Sequence, residues 1–368
     1  MDDNVAQIRQ FALHYQIRMT THKPLGTIQV DVDDLWVYYE SIGRDAREGT
    51  TTLIYGQGIP RLLDLFDRYG IRATFFIVGR DVPAQAPAVQ EMVRRGHEVA
   101  NHSTWHRPGF ARLTREEKRA DIATTHWLIT DAAGQPPVGF KSPGFSLSPD
   151  QLDVLTELGY LYDSSLLPTF YAPALRSLQR VLSGGHVDPT QYGRAVNGLA
   201  PLHPYHPAAA PYRQGGFRAS RPAPQWMRIP RQVEESGGRP GLPNLFGHWQ
   251  SRLAGEGSAI HGISHQLWEA PVTTVPLLRL PMHSTFVLSA GRLLFDLGLA
   301  LVQARGVPIN YLLHAADVVD GGVDPALASY KFLTQTWAEK QPLYEHMLAA
   351  LSERYELVPT REFLESIM

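Results

Sequence analysis

Apolar residues in the first half of the chain recur at spacings typical of both helices and strands. Short apolar runs, beginning with residues 27–32 and continuing in RATFFIVG and HEVANHS, predict buried strands. Between the first two runs, GIPRLLDLFDRYG carries the i, i+3, i+4, i+7 spacing of one helix face and ends at Gly70. The apolar positions of that face are Ile59, Leu62, Leu63 and Phe66.

Two later segments carry the capping sequences of helix N-termini. LTREEKRADIATTHWLITDAAG places Thr114 and Glu117 at capping-box spacing and stops near Gly134. SPDQLDVLTELG places Ser148 at the N-cap, and Gln151 stands where it closes a capping box. Both segments predict helices with defined starting points.

Strand and helix alternate from residue 27 to about 165, which predicts βαβ units and a parallel sheet. The alternation resumes at GRLLFDLGLALVQARG and VPINYLLHAADVVD. The intervening segment, about 168–270, is rich in Pro, Gly and His and is too long for an ordinary loop. We therefore expect an N-terminal extension over 1–24 and one α/β domain over 25–368 that contains a long irregular insertion.

Composition narrows the function classes. Hydrophobic residues are 43% and charged residues 19%, which is typical of a soluble enzyme, and the net charge of -2 gives no reason to expect a nucleic-acid partner. The chain has no cysteine, which excludes disulfides and thiolate-bound zinc, whereas 15 histidines supply other metal ligands. The N-terminal residues lack the apolar region of a secretory signal, and no stretch is long enough to span a membrane. We expect a cytoplasmic protein, for which peripheral contact with a membrane stays open.

Polar groups with catalytic chemistry stand where apolar runs end. Asp31 and Asp33 follow the first run, and His102, Lys141 and Asp163 follow later runs. Since active sites of parallel α/β folds lie at the C-terminal ends of the strands, these side chains are predicted to share one site.

Two of these motifs together favour a metal site. In DVDD, Asp31, Asp33 and Asp34 place three carboxylates within four positions, where like charges repel unless a cation lies between them. In NHSTWH, His102 and His106 stand four apart, and on a helical turn this spacing presents both rings to one point. Alone, the acids are explained by a solvated turn and the histidines by a helix start. Combined, two His and one Asp form a facial triad with open positions.

Two further residues are candidates for the site because of where they stand in the sequence. His314 ends the apolar run INYLL at another predicted strand tip, although a lone histidine there is more often structural. Lys141 precedes a Pro-Gly turn, where it is either a surface lysine or a cation that orients a carboxylate.

The motifs around these residues, taken in their order along the chain, resemble those of the polysaccharide deacetylase (NodB-homology) family. DVDD resembles the first motif of the family, HSTWH matches its H-[ST]-x-x-H motif, and FKSPGFS resembles a motif usually written with Arg in place of Lys141. YLYDSS and LLHA resemble later family stretches. The resemblance covers roughly residues 25–165 and 275–365. VDVDD and LLHAADVVDGG are most similar to the branch that contains the lipid-linked formamido-arabinose deformylase.

The resemblance implies one divalent metal ion, Zn²⁺ with Co²⁺ or Ni²⁺ as alternatives, and a general base beside it. Asp33, His102 and His106 take the ligand positions. Asp31 is the base, because alternation along a strand sends it to the same side as Asp33. Asp34 remains the alternative ligand.

The resemblance also assigns groups around the reacting bond. Lys141 orients Asp31 but lacks the bidentate fork of Arg, so its hold on Asp31 is predicted to be looser. His314 is the general acid. A backbone N–H of the turn formed by Pro143, Gly144 and Phe145 is expected at the oxyanion of the substrate. The acids that could raise the pKa of His314 are Asp163, Asp317 and Asp320.

The implied fold is a distorted (β/α)7 barrel, and the implied activity is metal-dependent hydrolysis of an N-acetyl or N-formyl group from an amino sugar or glycan, with a lipid carrier as one option. One alternative is a catalytically inactive carbohydrate-binding protein of the same fold. Another is a metal-dependent phosphoesterase, which needs a second metal and further ligands such as His203 and His206 of HPYHP. His265, Trp268 and His283 stand where the insertion rejoins the barrel, and core packing explains them as well as substrate contact does.

Overall fold

A computed structural model describes residues 23–44, 53–183, 187–207, 266–322 and 324–368. The predicted N-terminal extension falls almost wholly outside these ranges, as does most of the predicted insertion. Both boundaries therefore stay predictions.

The described residues contain a sheet of eight parallel strands. In the sheet the strands lie in the order β6-β5-β4-β3-β2-β1-β7, and β8 pairs with the start of β1, where Glu356 lies opposite Leu25. The strands are β1 Leu25–Val32, β2 Thr74–Ile77, β3 Glu98–Asn101, β4 Gly139–Phe140, β5 Tyr162–Asp163, β6 Trp268–Glu269, β7 Asn310–His314 and β8 Glu356–Leu357.

The two ends of the sheet, β6 and β7, are joined by hydrogen bonds of the segment that follows β6. The Thr273 N–H donates to the Asn310 carbonyl at 2.9 Å, and the Asn310 N–H donates to Thr273 Oγ1 at 2.7 Å. The Asn310 amide also donates to the carbonyls of Ala270 and Pro271, both at 3.0 Å. This seam brings the ends of the curled sheet together, and the predicted distorted (β/α)7 barrel is confirmed.

Helices cover the outside of the sheet, as the periodicity predicted. None of the described helices has both the length and the apolar character needed to cross a bilayer. Their bounds are α1 Leu35–Ser41, α2 Ile59–Tyr69, α3 Val82–Arg94, α4 Arg115–Ala133, α5 Pro149–Glu157, α6 Ala172–Ser183, α7 Ser284–Ala290, α8 Arg292–Ala304, α9 Trp337–Arg354 and α10 Thr360–Glu365.

The two predicted capping boxes differ in outcome. On α4, the Glu117 N–H donates to Thr114 Oγ1, the Thr114 N–H donates to Glu117 Oε2, and Gly134 ends the helix with φ 72°. On α5, the predicted box is wrong. Gln151 instead donates from Nε2 to the buried Ser165 Oγ at 3.1 Å, and Ser148 makes no side-chain capping bond.

Two regular elements lie inside the segment that was predicted to be irregular. Helix α6 occupies Ala172–Ser183, and β6 forms at Trp268–Glu269. The backbone of Glu269 pairs with Tyr205 on one side and lies in register with Asp163 of β5 on the other. A two-residue strand is too short for an alternation pattern, so its contribution to the sheet escaped the sequence analysis.

Strand β1 lies between β2 and β7, and its alternation delivers polar groups to the barrel interior. Ile28, Val30 and Val32 belong to the main hydrophobic core. The alternate residue Gln29 accepts a hydrogen bond from Ser164 Oγ at 3.0 Å. Continuing this polar face, Asp31 enters the site at the C-terminal end of the strand.

Candidate active site

Three side chains from the ends of β1 and β3 converge on one point. Asp33 Oδ1 lies 3.2 Å from His106 Nε2 and 3.4 Å from His102 Nε2. One ligand atom from each residue lies within 4.8 Å of the other two, and no second group of this kind occurs among the described residues. The site predicted from DVDD and NHSTWH therefore assembles as a cluster of one carboxylate and two imidazoles.

The donors in this cluster fit a cation. His102 Nδ1 lies 2.7 Å from the Lys141 carbonyl, which only accepts, so Nδ1 carries a proton. In its neutral form the ring then presents a lone pair on Nε2 to Asp33 Oδ1, and that oxygen is buried without a hydrogen-bond partner. Two acceptors this close require a proton or a metal ion between them, and Asp with two His is a donor set that divalent transition metals accept.

The predicted helical turn between the two histidines is wrong. Ser103 and His106 have φ values of 64° and 45°, and the segment is a loop. The Ser103 hydroxyl accepts from the His106 N–H at 3.0 Å, while Asp121 of α4 accepts from the Thr104 N–H at 2.6 Å. Anchored in this way, the loop achieves the convergence that an i, i+4 spacing gives on a helix.

Electrostatics prepare the imidazoles for a ligand role. Burial lowers the pKa of His106 to about 4, so the ring is neutral at neutral pH. Burial opposes the charge on His102 too, but Asp31 and Asp33 raise the pKa of that ring above its ordinary value. Burial disfavours ionisation of Asp33, but His106 and His102 outweigh it and hold the pKa of Asp33 well below its ordinary range.

Asp34, the alternative ligand, has a different role in the structure. Its side chain is the N-cap of α1, and Oδ1 accepts from the Leu35 N–H at 2.7 Å. Burial and the neighbouring Asp81 raise the pKa of Asp34 to about 8. Asp34 is absent from the converging cluster, whereas Asp33 is its centre.

Asp31 is held by a buried lysine. Lys141 Nζ donates to Asp31 Oδ1 at 2.8 Å, and Asp31 Oδ2 lies 3.9 Å from His102 Nε2. Lys141 is fully buried, and its ammonium lies 4.4 Å from the centroid of the Phe76 ring. Burial lowers the pKa of Lys141, which its contact with Asp31 opposes. The contact is a single hydrogen bond, as the absence of an Arg fork predicted.

His314 enters the site from β7, where it lies in register with Asp31 of β1. Its Nδ1 is 3.0 Å from Thr285 Oγ1 and 3.9 Å from Asp317 Oδ2. Asp317 is therefore the carboxylate beside His314 among the three that the sequence left open. Asp320 is bound instead by Arg61 at 3.3 Å.

Asp163 forms a buried acid pair with a residue that the sequence analysis missed. Glu269 lies opposite it in register, and Asp163 Oδ1 accepts from Ser165 Oγ at 2.6 Å. Burial raises the pKa of Asp163 to about 7 and raises that of Glu269 well above its ordinary value. Asp163 thus lies within the fold beside another acid, and its assistance to His314, one of the three options that the sequence left open, stays a prediction. An acid inside the apolar run of HQLWEAPV is the pattern that points to Glu269.

The turn Pro143–Phe145 lies in the wall of the site. Gly144 and Phe145 have φ values of 60° and 57°, and the Tyr192 N–H donates to the Gly144 carbonyl at 2.8 Å. The Tyr192 ring stacks on Phe145 with centroids 6.3 Å apart, and Phe145 lies 6.1 Å from His283. The contribution of a backbone N–H from this turn to an oxyanion stays a prediction.

Of the other histidines that the sequence analysis named, one lies near the site and others lie away from it. His283 approaches His314, with ring centroids 5.9 Å apart, and burial lowers the pKa of His283 to about 3. His206 lies 3.9 Å from the Trp268 ring. Like His203, it is absent from the metal-binding group, so neither supplies a second metal site in the described chain. His265 lies outside the described residues.

Two tyrosines that the sequence analysis did not single out line the same region. Tyr38 and Tyr330 make an edge-on contact with ring centroids 5.1 Å apart. Burial, and then the charges of Asp33 and Asp317, raise the pKa of Tyr38 well above its ordinary value. Tyr38 belongs to the LWVYYE stretch that follows DVDD. Its position close behind the acidic motif is the sequence signal that could have identified it.

Part of the chain is similar in sequence to known deacetylases. Residues 48–162 match the family model described as polysaccharide deacetylase. The peptidoglycan deacetylase of Helicobacter pylori is 32% identical over 116 residues, which cover 32% of this chain and 39% of that protein. The peptidoglycan-N-acetylglucosamine deacetylase of Bacillus cereus is 28% identical over 102 residues, which cover 28% of this chain and 37% of that protein. The chain thus matches less than half the length of either relative.

A solved structure shares the fold across nearly the whole chain. It is a Mycobacterium smegmatis protein assigned to the polysaccharide deacetylases, with a TM-score of 0.52 and 16% identity. The likeness covers 93% of this chain and 88% of that one. Over residues 48–162 the chain is therefore similar to the polysaccharide deacetylase family, and it shares its fold with this solved structure.

Proposed function

We propose that the protein is a metal-dependent hydrolase that removes an N-acetyl group from an amino sugar within a glycan. The observation that carries the proposal is the convergence of Asp33, His102 and His106 beside two further groups, Asp31 and His314. The relatives named for peptidoglycan deacetylation support a substrate built from N-acetylated amino sugars.

Asp33, His102 and His106 would hold one divalent ion, with Zn²⁺ as the proposed metal and Co²⁺ or Ni²⁺ as alternatives. Such an ion, when bound, supplies Lewis acidity toward a carbonyl oxygen and lowers the pKa of a bound water to roughly 7. The protein determines the orientation of its own ligands, because the bond from His102 Nδ1 to the Lys141 carbonyl fixes the ring.

Asp31 is the proposed general base. Its Oδ1 is occupied by Lys141 at 2.8 Å, while Oδ2 faces His102 Nε2 at 3.9 Å. Because Lys141 holds one oxygen, the second is left on the cluster side to accept the proton of an attacking water.

His314 is the proposed general acid. An amine leaves an acyl carbon poorly unless its nitrogen is protonated, and a positioned acid typically contributes ~10²–10⁴-fold to the rate. The register of β1 and β7 places His314 next to Asp31, so base and acid stand on adjacent strands. His314 can therefore protonate the leaving nitrogen while Asp31 acts on water.

The two alternatives are weaker. An inactive binding protein has no need of a complete set of base, acid and metal ligands, and a two-metal phosphoesterase needs ligands that the described residues lack. A formyl substrate, a lipid carrier and a cytoplasmic location remain further proposals from the sequence resemblance and composition.

The test measures acetate release from chitopentaose and from peptidoglycan after the purified chain is loaded with Zn²⁺, Co²⁺ or Ni²⁺. We expect metal-dependent acetate release, which Asp31→Asn abolishes while metal binding persists. Glycan binding without release of acetate or formate would favour the binding protein. Hydrolysis of a phosphate ester with two metal equivalents per chain would favour the phosphoesterase.

A further inference from the structure

A threonine hydroxyl lies between the proposed acid and its carboxylate. Thr285 Oγ1 is 3.0 Å from His314 Nδ1 and 3.2 Å from Asp317 Oδ1. The direct approach of His314 Nδ1 to Asp317 Oδ2 is 3.9 Å, which is too long for a hydrogen bond. The path from imidazole to carboxylate therefore passes through the first turn of α7.

The directions of these hydrogen bonds follow from the donors around Asp317. The Asp317 carboxylate is fully buried, and Oδ2 accepts from the His314 N–H at 3.1 Å and from the Ser284 hydroxyl. At the other carboxylate oxygen, the Thr285 O–H donates to Asp317 Oδ1 at 3.2 Å. The Thr285 oxygen is then left to accept from His314 Nδ1–H, in place of the arrangement in which the ring accepts from the Asp317 N–H.

We propose that Thr285 is a positioning residue that couples His314 to Asp317 and fixes its proton on Nδ1. Nε2 is then the ring atom that delivers a proton to the substrate, an assignment that rests on the proposed function. The other titratable groups around His314 are Asp31 and Asp33 at the end of β1, Lys141 after β4 and His283 before α7.

The first test measures which ring nitrogen of His314 carries the proton, and it needs no substrate. Ring ¹⁵N spectra of the full chain, with His314 assigned by its loss in His314→Gln, should show neutral His314 protonated at Nδ1. Thr285→Ser should keep this pattern, since the hydroxyl remains. Thr285→Val should shift the population toward the Nε2–H form. An identical His314 spectrum in Thr285→Val and the wild type would overturn the proposal.

The second test reads catalysis by the metal-loaded enzyme. For chitopentaose, Thr285→Val should lower kcat by roughly ten- to a hundredfold, the usual effect of losing a hydrogen bond to a charged group. For an aryl acetate, whose leaving group needs no proton, the rate should stay within about twofold.

Two variants separate the relay from a general effect on folding. Thr285→Ser should restore most of the chitopentaose activity. Thr124→Val serves as the matched control, because among the described residues Thr124 Oγ1 donates to the Ala120 carbonyl of its own helix α4 at 2.8 Å. Equal losses with amide and ester in Thr285→Val would overturn the relay. If the wild type released no acetate, the proposed function would fail, and the ring spectra would still decide the role of Thr285.

Discussion

The backbone carbonyl of Lys141 orients His102, while the side chain of the same residue holds Asp31. The carbonyl lies 2.7 Å from His102 Nδ1, and Nζ donates to Asp31 Oδ1 at 2.8 Å. One residue thus serves a proposed metal ligand through its backbone and the proposed base through its ammonium. Substitution of the side chain alone separates these two contributions.

Lys141→Met should therefore retain metal and lose activity. The backbone bond to His102 persists, whereas Asp31 loses its partner, so we expect deacetylation to fall on the order of a hundredfold with metal stoichiometry unchanged. Metal analysis and acetate release measure the two effects. Lys118→Met is the matched control, because Lys118 is also buried but binds the Ala111 carbonyl and Asp150 away from the site. Loss of metal from Lys141→Met would contradict the separation.

Adjacent acids allow a direct test of the ligand assignment. Asp33→Ala removes the carboxylate at the centre of the cluster, so we expect metal affinity and activity to fall together by at least a hundredfold. Asp34→Asn should retain both, because Asn also caps helix N-termini and Asp34 contacts the Leu35 N–H. Equilibrium dialysis with Zn²⁺ measures the affinity. The reverse result would make Asp34 the ligand.

The loop that carries His106 should depend on Asp121. This buried carboxylate accepts from the Thr104 N–H at 2.6 Å, and without it a strained loop loses its anchor. We expect Asp121→Ala to weaken Zn²⁺ binding by roughly ten- to a hundredfold, the usual range for residues that support metal ligands. Asp131→Ala, on the same helix, should leave the affinity unchanged. Equal affinities of Asp121→Ala and wild type would show that the loop holds its shape without Asp121.

Metal binding should release a proton at mildly acidic pH. Asp31 and Asp33 raise the pKa of His102 in the metal-free chain, whereas His106 is neutral down to about pH 4, the pKa that its burial imposes. As pH falls through the raised pKa of His102, a proton competes with the metal and the apparent affinity declines. Calorimetry in buffers of different ionisation enthalpy measures the released proton. A binding constant that stays flat from pH 5 to pH 8 would contradict this.

Sequence patterns located the groups that end strands but not the groups that support them. Asp31, His102 and His314 follow apolar runs, and a parallel sheet brings the ends of such runs together. Thr285 and Glu269 meet their partners only through the tertiary fold, since one opens a short helix and the other sits in a two-residue strand. Neither setting leaves a periodic pattern. The loop between His102 and His106 leaves no periodic pattern either, so their i, i+4 spacing alone suggested a helical turn.

The Asp163–Glu269 pair should make the protein less stable as pH rises. Oδ2 of Asp163 and Oε2 of Glu269 are buried, and neither has a donor among the described residues unless a proton lies between the acids. Burial raises the pKa of Asp163 to about 7, far above the ordinary value that it regains on unfolding. The stabilisation is therefore complete below about pH 4 and is lost as pH rises through about 7.

Glu269→Gln should remove part of this dependence, because an amide donates to Asp163 without needing a proton, and its oxygen still accepts from the Leu166 N–H that Glu269 Oε1 binds at 3.2 Å. We expect similar free energies of unfolding for variant and wild type at pH 5, and at pH 8 a variant more stable by about 2 kcal/mol. Guanidinium unfolding at both pH values measures the difference. Parallel stability profiles for the two proteins would mean that the acids do not share a proton.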